Sequence, residues 1–117
     1  MKDPLRYHVY AYVCPTTFQI RYIGKGTRDR PSVHWTRATH GRPVQNVIFG
    51  AWLVGLHEKQ LKPIILKLAD RLTEHEALLL EAQLILKNGI HGKDPKGKLL
   101  NRKRGELVLP KNRRSEI

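Results

Sequence analysis

Two short β-prone runs separated by only four residues constrain this chain most. Tyr7-His8-Val9-Tyr10-Ala11-Tyr12-Val13 is aromatic or β-branched with approximate alternation, and Phe18 to Ile23 is a second such run. Cys14-Pro15-Thr16-Thr17 breaks the chain between them. A gap that short leaves an antiparallel hairpin with a loose turn at Pro15 as the economical pairing. Gly24-Lys25-Gly26 is expected to end the second strand. A third run, Ile64 to Ala69, follows Pro63 and is expected at the centre of the sheet.

Helices fill the rest. Pro31 suits a first helical position, with Asp29 or Arg30 near the cap and an end near Thr39. Val44, Val47, Ile48, Ala51, Trp52 and Leu56 recur at helical spacing, which predicts a second helix ending near His57. Thr73-Glu74-His75-Glu76 reads as a capping box opening a third helix that closes at Asn88-Gly89. The expected fold class is therefore α+β: a small three-stranded antiparallel sheet flanked by helices. The domain is expected over residues 1–101, followed by a basic C-terminal tail over 102–117.

At 117 residues the chain has room for one domain, and 40% hydrophobic with 27% charged residues is a globular balance. No apolar run reaches the roughly 18 residues of a membrane span, and Met1-Lys2-Asp3-Pro4 opens no signal-peptide pattern. These features predict a cytoplasmic or nucleoid-associated protein. Cys14 is the single cysteine, which excludes an intrachain disulfide and a Cys-based zinc cluster.

The formal net charge of +12 calls for a polyanionic partner, nucleic acid or an anionic membrane surface. Residues 1–42 carry +6, residues 43–86 carry −1 and residues 87–117 carry +7. If the ends meet in the fold, they make one positive surface around whatever the neutral middle contributes.

Three constellations stand in unusual environments. Ala77, Leu78, Leu84 and Ile85 form an apolar helical stripe with Glu81 in its middle. A carboxylate there is partly desolvated and needs a cation, a donor or a proton. An edge position paired with an Arg satisfies that need, and so does a metal ion. Arg30, His34 and Arg37 share one helix face just after the Gly-Lys-Gly segment, which suits either a solvated face or a phosphate group. All four tyrosines, Tyr7, Tyr10, Tyr12 and Tyr22, lie on the hairpin, where they pack the β-pair or where Tyr10 and Tyr12, on one strand face, point at a common site. Gly24-Lys25-Gly26-Thr27 lacks the glycine of a Walker motif, since Gln19 stands where one is required, so nucleoside triphosphate binding is excluded.

Taken in order, these residues resemble the GIY-YIG nuclease family. Val9-Tyr10 matches the end of the first motif with His8 in place of its glycine, and Tyr22-Ile23-Gly24 is an intact second motif. Lys25-Gly26 follows as in a compact branch of the family, and Arg30 and His34 fall at its four-residue Arg/His spacing. Glu76-Ala77 through Glu81-Ala82-Gln83-Leu84-Ile85 is similar to the helix that carries the family's glutamate. Asn101, after Leu99-Leu100, matches its late asparagine across a longer loop than many members have.

The resemblance implies a metal-dependent DNA endonuclease that hydrolyses phosphodiester bonds with a single divalent cation. Glu81 is then the metal ligand, for Mg²⁺ or Mn²⁺, and Arg30 and His34 face the phosphate. Tyr10 and Tyr22 are active-site phenols, Tyr10 being the candidate general base, and Asn101 completes the catalytic set. Lys25, Arg28 and Arg37 are candidate phosphate contacts, and Lys25 or Arg28 is expected to lower the Tyr10 pKa from about 10. The expected substrate is duplex or branched DNA, cut by structure or with weak sequence preference, because no helix-turn-helix or zinc finger is appended. The rival expectations are an inactive DNA- or RNA-binding module on the same fold and a basic RNA-associated protein.

Overall fold

The computed structural model describes residues 5–102. The elements in chain order are β1 (Tyr7–Val13), β2 (Ile20–Thr27), α1 (Arg30–Thr39), α2 (Val47–Glu58), β3 (Ile64–Leu72) and α3 (Glu74–Asn88). The strands form one antiparallel sheet in the order β2-β1-β3. This is the α+β architecture expected.

The centre of the sheet is β1 and not, as expected, the third strand. All of β1 from His8 to Val13 is buried, whereas Leu66, Lys67, Leu68, Asp70 and Arg71 of β3 are exposed. The charged residues belong on an edge, where they discourage pairing with another chain. Register irregularities between β1 and β3, with Arg71 at φ 57°, twist that edge further.

The second strand begins and ends later than expected. Phe18 stands at φ 61° inside the turn, and β2 continues through both glycines to Thr27. Glycine in a strand marks close approach by a neighbour. A Cβ on Gly24 would fall 2.5 Å from Cζ of Tyr10, and one on Gly26 would fall 2.5 Å from Cβ of Arg30. The two glycines thus make room for two side chains of this chain.

Side chains alternate across β1 and build two cores. Val9 and Ala11, with Ile23 of β2, pack against Ala77 and Ile85 of α3. Tyr10 and Tyr12 pack on the other face against Ala38 of α1 and Phe49 and Leu53 of α2. Helices therefore cover both faces, and β2 is the edge where elements from the two sides meet.

The expected caps form. Thr73 Oγ1 accepts from Glu76 N at 3.1 Å and Thr73 N donates to Glu76 Oε1 at 2.8 Å, a capping box worth about 1 kcal/mol. Gly89 closes α3 at φ 76°. The second helix starts three residues later than periodicity predicted, because Asn46 Oδ1 accepts from Phe49 N at 3.0 Å and caps it there.

Candidate active site

Beyond the β2 edge lies a pocket of about 250 Å³ whose polar wall comprises Tyr22, Arg30, His34, Glu81, Asn101 and Arg102. Tyr22 comes from β2, Arg30 and His34 from α1, and Glu81 from α3. The hydrophobic pattern of α3 places Glu81 there. Ala77 and Ile85, one turn before and after it, are buried against the sheet, so their common face carries the half-buried Glu81 to the sheet edge. Arg30 reaches the pocket because Tyr12 docks the start of α1: its hydroxyl donates to the Pro31 carbonyl and accepts from Trp35 N at 3.1 Å. Burial pushes the Tyr12 phenol up to about 12, against the pull of the Trp35 hydrogen bond.

Asn101 is buried and clamps the edge strand. Its Oδ1 accepts from Ile23 N at 3.1 Å and its Nδ2 donates to Ile23 O at 2.8 Å. Leu100 N donates to Arg21 O at 2.6 Å, so residues 100–101 are fastened along the outer edge of β2. Asn46 Nδ2 in turn donates to Leu100 O at 2.8 Å, tying the start of α2 to the same segment.

The two motif tyrosines occupy different environments. Tyr22 lines the pocket, and its phenol is raised, first by burial and then by the Glu81 charge, with Arg30 and Arg102 pulling the other way. Tyr10 is only 1% exposed and lies behind the pocket, its hydroxyl 2.9 Å from His34 Nε2. Burial and the neighbouring Tyr22 push Tyr10 well above the ordinary phenol range, outweighing Arg30. Tyr10, the expected general base, is therefore a buried neutral phenol set behind the pocket wall. His34 is lowered to about 4 by burial and by the Arg30 and Arg37 charges, so its imidazole is neutral at physiological pH.

The other expected phosphate contacts divide. Arg37 lies in an adjoining cleft with Arg30 and His34, its Nε donating to Pro43 O at 2.7 Å. Lys25 pairs with Val9 on the α3 face of the sheet, where its Nζ is 5.9 Å from the Tyr7 ring centroid. Arg28 is exposed in the turn before α1 at φ 52°. Neither Lys25 nor Arg28 lines the pocket or acts on Tyr10, because strand alternation and the turn point them elsewhere.

Three contributors were missed from sequence. Arg102, assigned there to the tail, lines the pocket, and the rest of the tail lies outside the described residues. The segment Val44–Asn46 forms another wall, which periodicity had absorbed into a helix. Phe49 is stacked flat on Tyr22, with centroids 4.0 Å apart and planes at 4°. No signal in the sequence distinguished Phe49 from any other apolar helix residue.

The donor set limits what metal would fit. Among the described residues, no group of three or more His, Cys, Asp and Glu is gathered to hold an ion. Glu81 is the carboxylate of the pocket wall, beside open space and phosphate-compatible donors. A hard cation such as Mg²⁺ suits that set, because it keeps most of its waters and takes one or two carboxylates with phosphate oxygens.

A hairpin-based sheet with tyrosine, arginine, histidine, glutamate and asparagine converging at its edge is the arrangement that the GIY-YIG resemblance implied. The family model described as the LEM-3-like GIY-YIG domain matches residues 16–116, and the chain belongs to that family. No curated protein sequence and no solved structure matches the chain. The family points to nuclease chemistry on a nucleic acid, and GIY-YIG nucleases generally use divalent metal ions. Among the described residues no helix is long and apolar enough to cross a membrane.

Proposed function

We propose that this protein is a DNA endonuclease that hydrolyses phosphodiester bonds with one divalent cation, Mg²⁺ or Mn²⁺, held at Glu81. The reading adds that it selects DNA by structure rather than by sequence. The observation that carries the nuclease reading is the convergence of Tyr22, Arg30, His34 and Glu81 on one open pocket of a strongly basic chain.

Each side chain has a chemical part. The Arg30 guanidinium offsets the charge that develops on the phosphoryl oxygens, the term that usually dominates such reactions. When bound, the cation supplies further positive charge to the phosphate and the leaving oxygen. We assign the proton of the attacking water to Tyr22 rather than Tyr10, because Tyr22 lines the open pocket and Tyr10 lies behind it. Its phenol is raised first by burial and then by the Glu81 carboxylate, so a cation that counters that carboxylate lowers it.

Behind the pocket, the Tyr10 hydroxyl lies 2.9 Å from His34 Nε2, and on this reading it donates to that nitrogen. The neutral imidazole then keeps its hydrogen on Nδ1, available to a phosphate oxygen. Tyr10 is on this reading a positioning residue.

The test is plasmid nicking by the purified protein with Mg²⁺ and with chelator, alongside Glu81→Gln. The reading requires nicking that needs both the metal and Glu81. Tight DNA binding with no nicking under any condition would instead support the binding-module reading. A panel of intact, nicked, flapped and four-way DNA then tests structure selectivity.

A further inference from the structure

From Pro43 to Leu56 the chain carries no Asp, Glu, Lys or Arg, although charged residues make up 27% of the whole. The first part of this run is a wall of the pocket, Val44 to Asn46. The next two residues, Val47 and Ile48, open α2 and are 73% and 62% exposed, with Ala51 and Val54 following along an exposed apolar stripe.

This stripe is held firmly. Asn46 caps the helix and is itself bonded to Leu100 O, and Phe49, the residue after Ile48, is buried against Tyr22. Val47 and Ile48 thus follow directly in the chain on Asn46, the last residue of that wall, and precede the ring stacked on Tyr22.

The charge pattern indicates what they face. Surfaces that meet phosphates carry cations, and here Arg30, Arg37 and Arg102 supply them around the pocket. A neutral apolar stretch of chain next to a wall of that pocket matches the part of a polynucleotide that has no charge, the faces of its bases. Four aliphatic side chains also fall well short of the ~800 Å² per partner that a stable protein interface buries.

We infer that Val47 and Ile48 form an apolar wedge that packs against the nucleobases beside the scissile phosphate and unstacks them. The inference rests on the proposed nuclease reading for its substrate, and makes these two residues determinants of which DNA is accepted. Apolar side chains inserted at base steps are an established way for proteins to distort DNA, most cheaply where stacking is already interrupted.

The test uses short DNA duplexes, intact and centrally nicked, carrying 2-aminopurine at each position in turn, with the full chain in chelator. Wild type is expected to raise the fluorescence at one or two adjacent positions. The double variant Val47→Ser/Ile48→Ser is expected to lose that rise and to bind about tenfold more weakly, a change of about 1.4 kcal/mol, with its salt dependence unchanged. Ile48→Ser alone, checked for folding by circular dichroism, is expected to give a partial loss.

No responding position in wild type, or a double variant that keeps the response, overturns the wedge. So does sedimentation showing a wild-type dimer that the double variant dissolves, which would give the face to a second copy. The chelator separates the two readings. A fluorescence response without any nicking in Mg²⁺ leaves the wedge standing and refutes the nuclease, whereas nicking without a response does the reverse.

Discussion

Replacing Asn101 by Ala removes the clamp on the edge strand that carries Tyr22. Two hydrogen bonds at 3.1 and 2.8 Å are lost, both to the backbone of Ile23, and Asn101 is only 8% exposed. Each bond contributes about 1 kcal/mol net, and each buried Ile23 group left unpaired costs about 1–3 kcal/mol unless water reaches it. Water from the adjoining pocket relieves part of that penalty. The expected loss is about 2–4 kcal/mol, a large share of the ~5–15 kcal/mol typical of a domain.

Urea unfolding measures it. With a slope of about 1–3 kcal/mol/M, the midpoint is expected to fall by about 1–2 M without a change in slope. Asn101→Asp keeps the acceptor for Ile23 N but sets a carboxylate oxygen against Ile23 O. It is expected to be at least as unstable at neutral pH, and to recover as pH falls and the carboxyl takes a proton. An unchanged midpoint in Asn101→Ala, with cutting abolished, would refute the clamp and assign Asn101 to the substrate.

Arg30→Ala and Glu81→Gln are expected to reduce nicking at least 100-fold while DNA affinity in gel-shift assays changes little, since the many other basic groups supply backbone binding. Tyr22→Phe is expected to abolish cutting at every pH. Tyr10→Phe should retain measurable cutting, with equal loss in both variants counting against Tyr22 as the proton acceptor. His34 is lowered from 6.5 to about 4 in the folded protein, so the unfolded chain binds more protons between those values. Its contribution is therefore present above about pH 6.5 and is lost as pH falls toward 4. After discount for solvent screening that amounts to about 1–3 kcal/mol, and thermal melts should show His34→Gln flattening this slope. Gly26→Ala drives a Cβ into the Arg30 stem and Gly24→Ala drives one into the buried Tyr10 ring. Circular dichroism melts should show a loss of about 1–3 kcal/mol for Gly24→Ala, whereas Gly26→Ala should be read mainly in turnover.

The sequence by itself determined the local elements and several of the residues that line the pocket. The hairpin run at Tyr7–Val13, the Thr73 capping box and the Gly89 stop each rest on interactions among near neighbours, and all three are present where expected. Helical periodicity put Arg30 and His34 on one face of α1 and Glu81 in the apolar stripe of α3, and the resemblance made these three, with Tyr22 and Asn101, candidates for one site. What depends on distant contacts was not legible. Strand order put β1 at the centre because burial of a whole strand is settled only when both neighbours and both helix layers are in place. The glycines of β2 looked like a strand end, yet their reason is the side chains of Tyr10 and Arg30. The same holds for the division of labour between the tyrosines. Tyr10 and Tyr22 are equivalent as residue types, and only the packing of α1 and α2 over β1 buries Tyr10 while leaving Tyr22 at the open edge with Glu81. Exposure is a property of surroundings, so which phenol lines the pocket was decided by the tertiary structure.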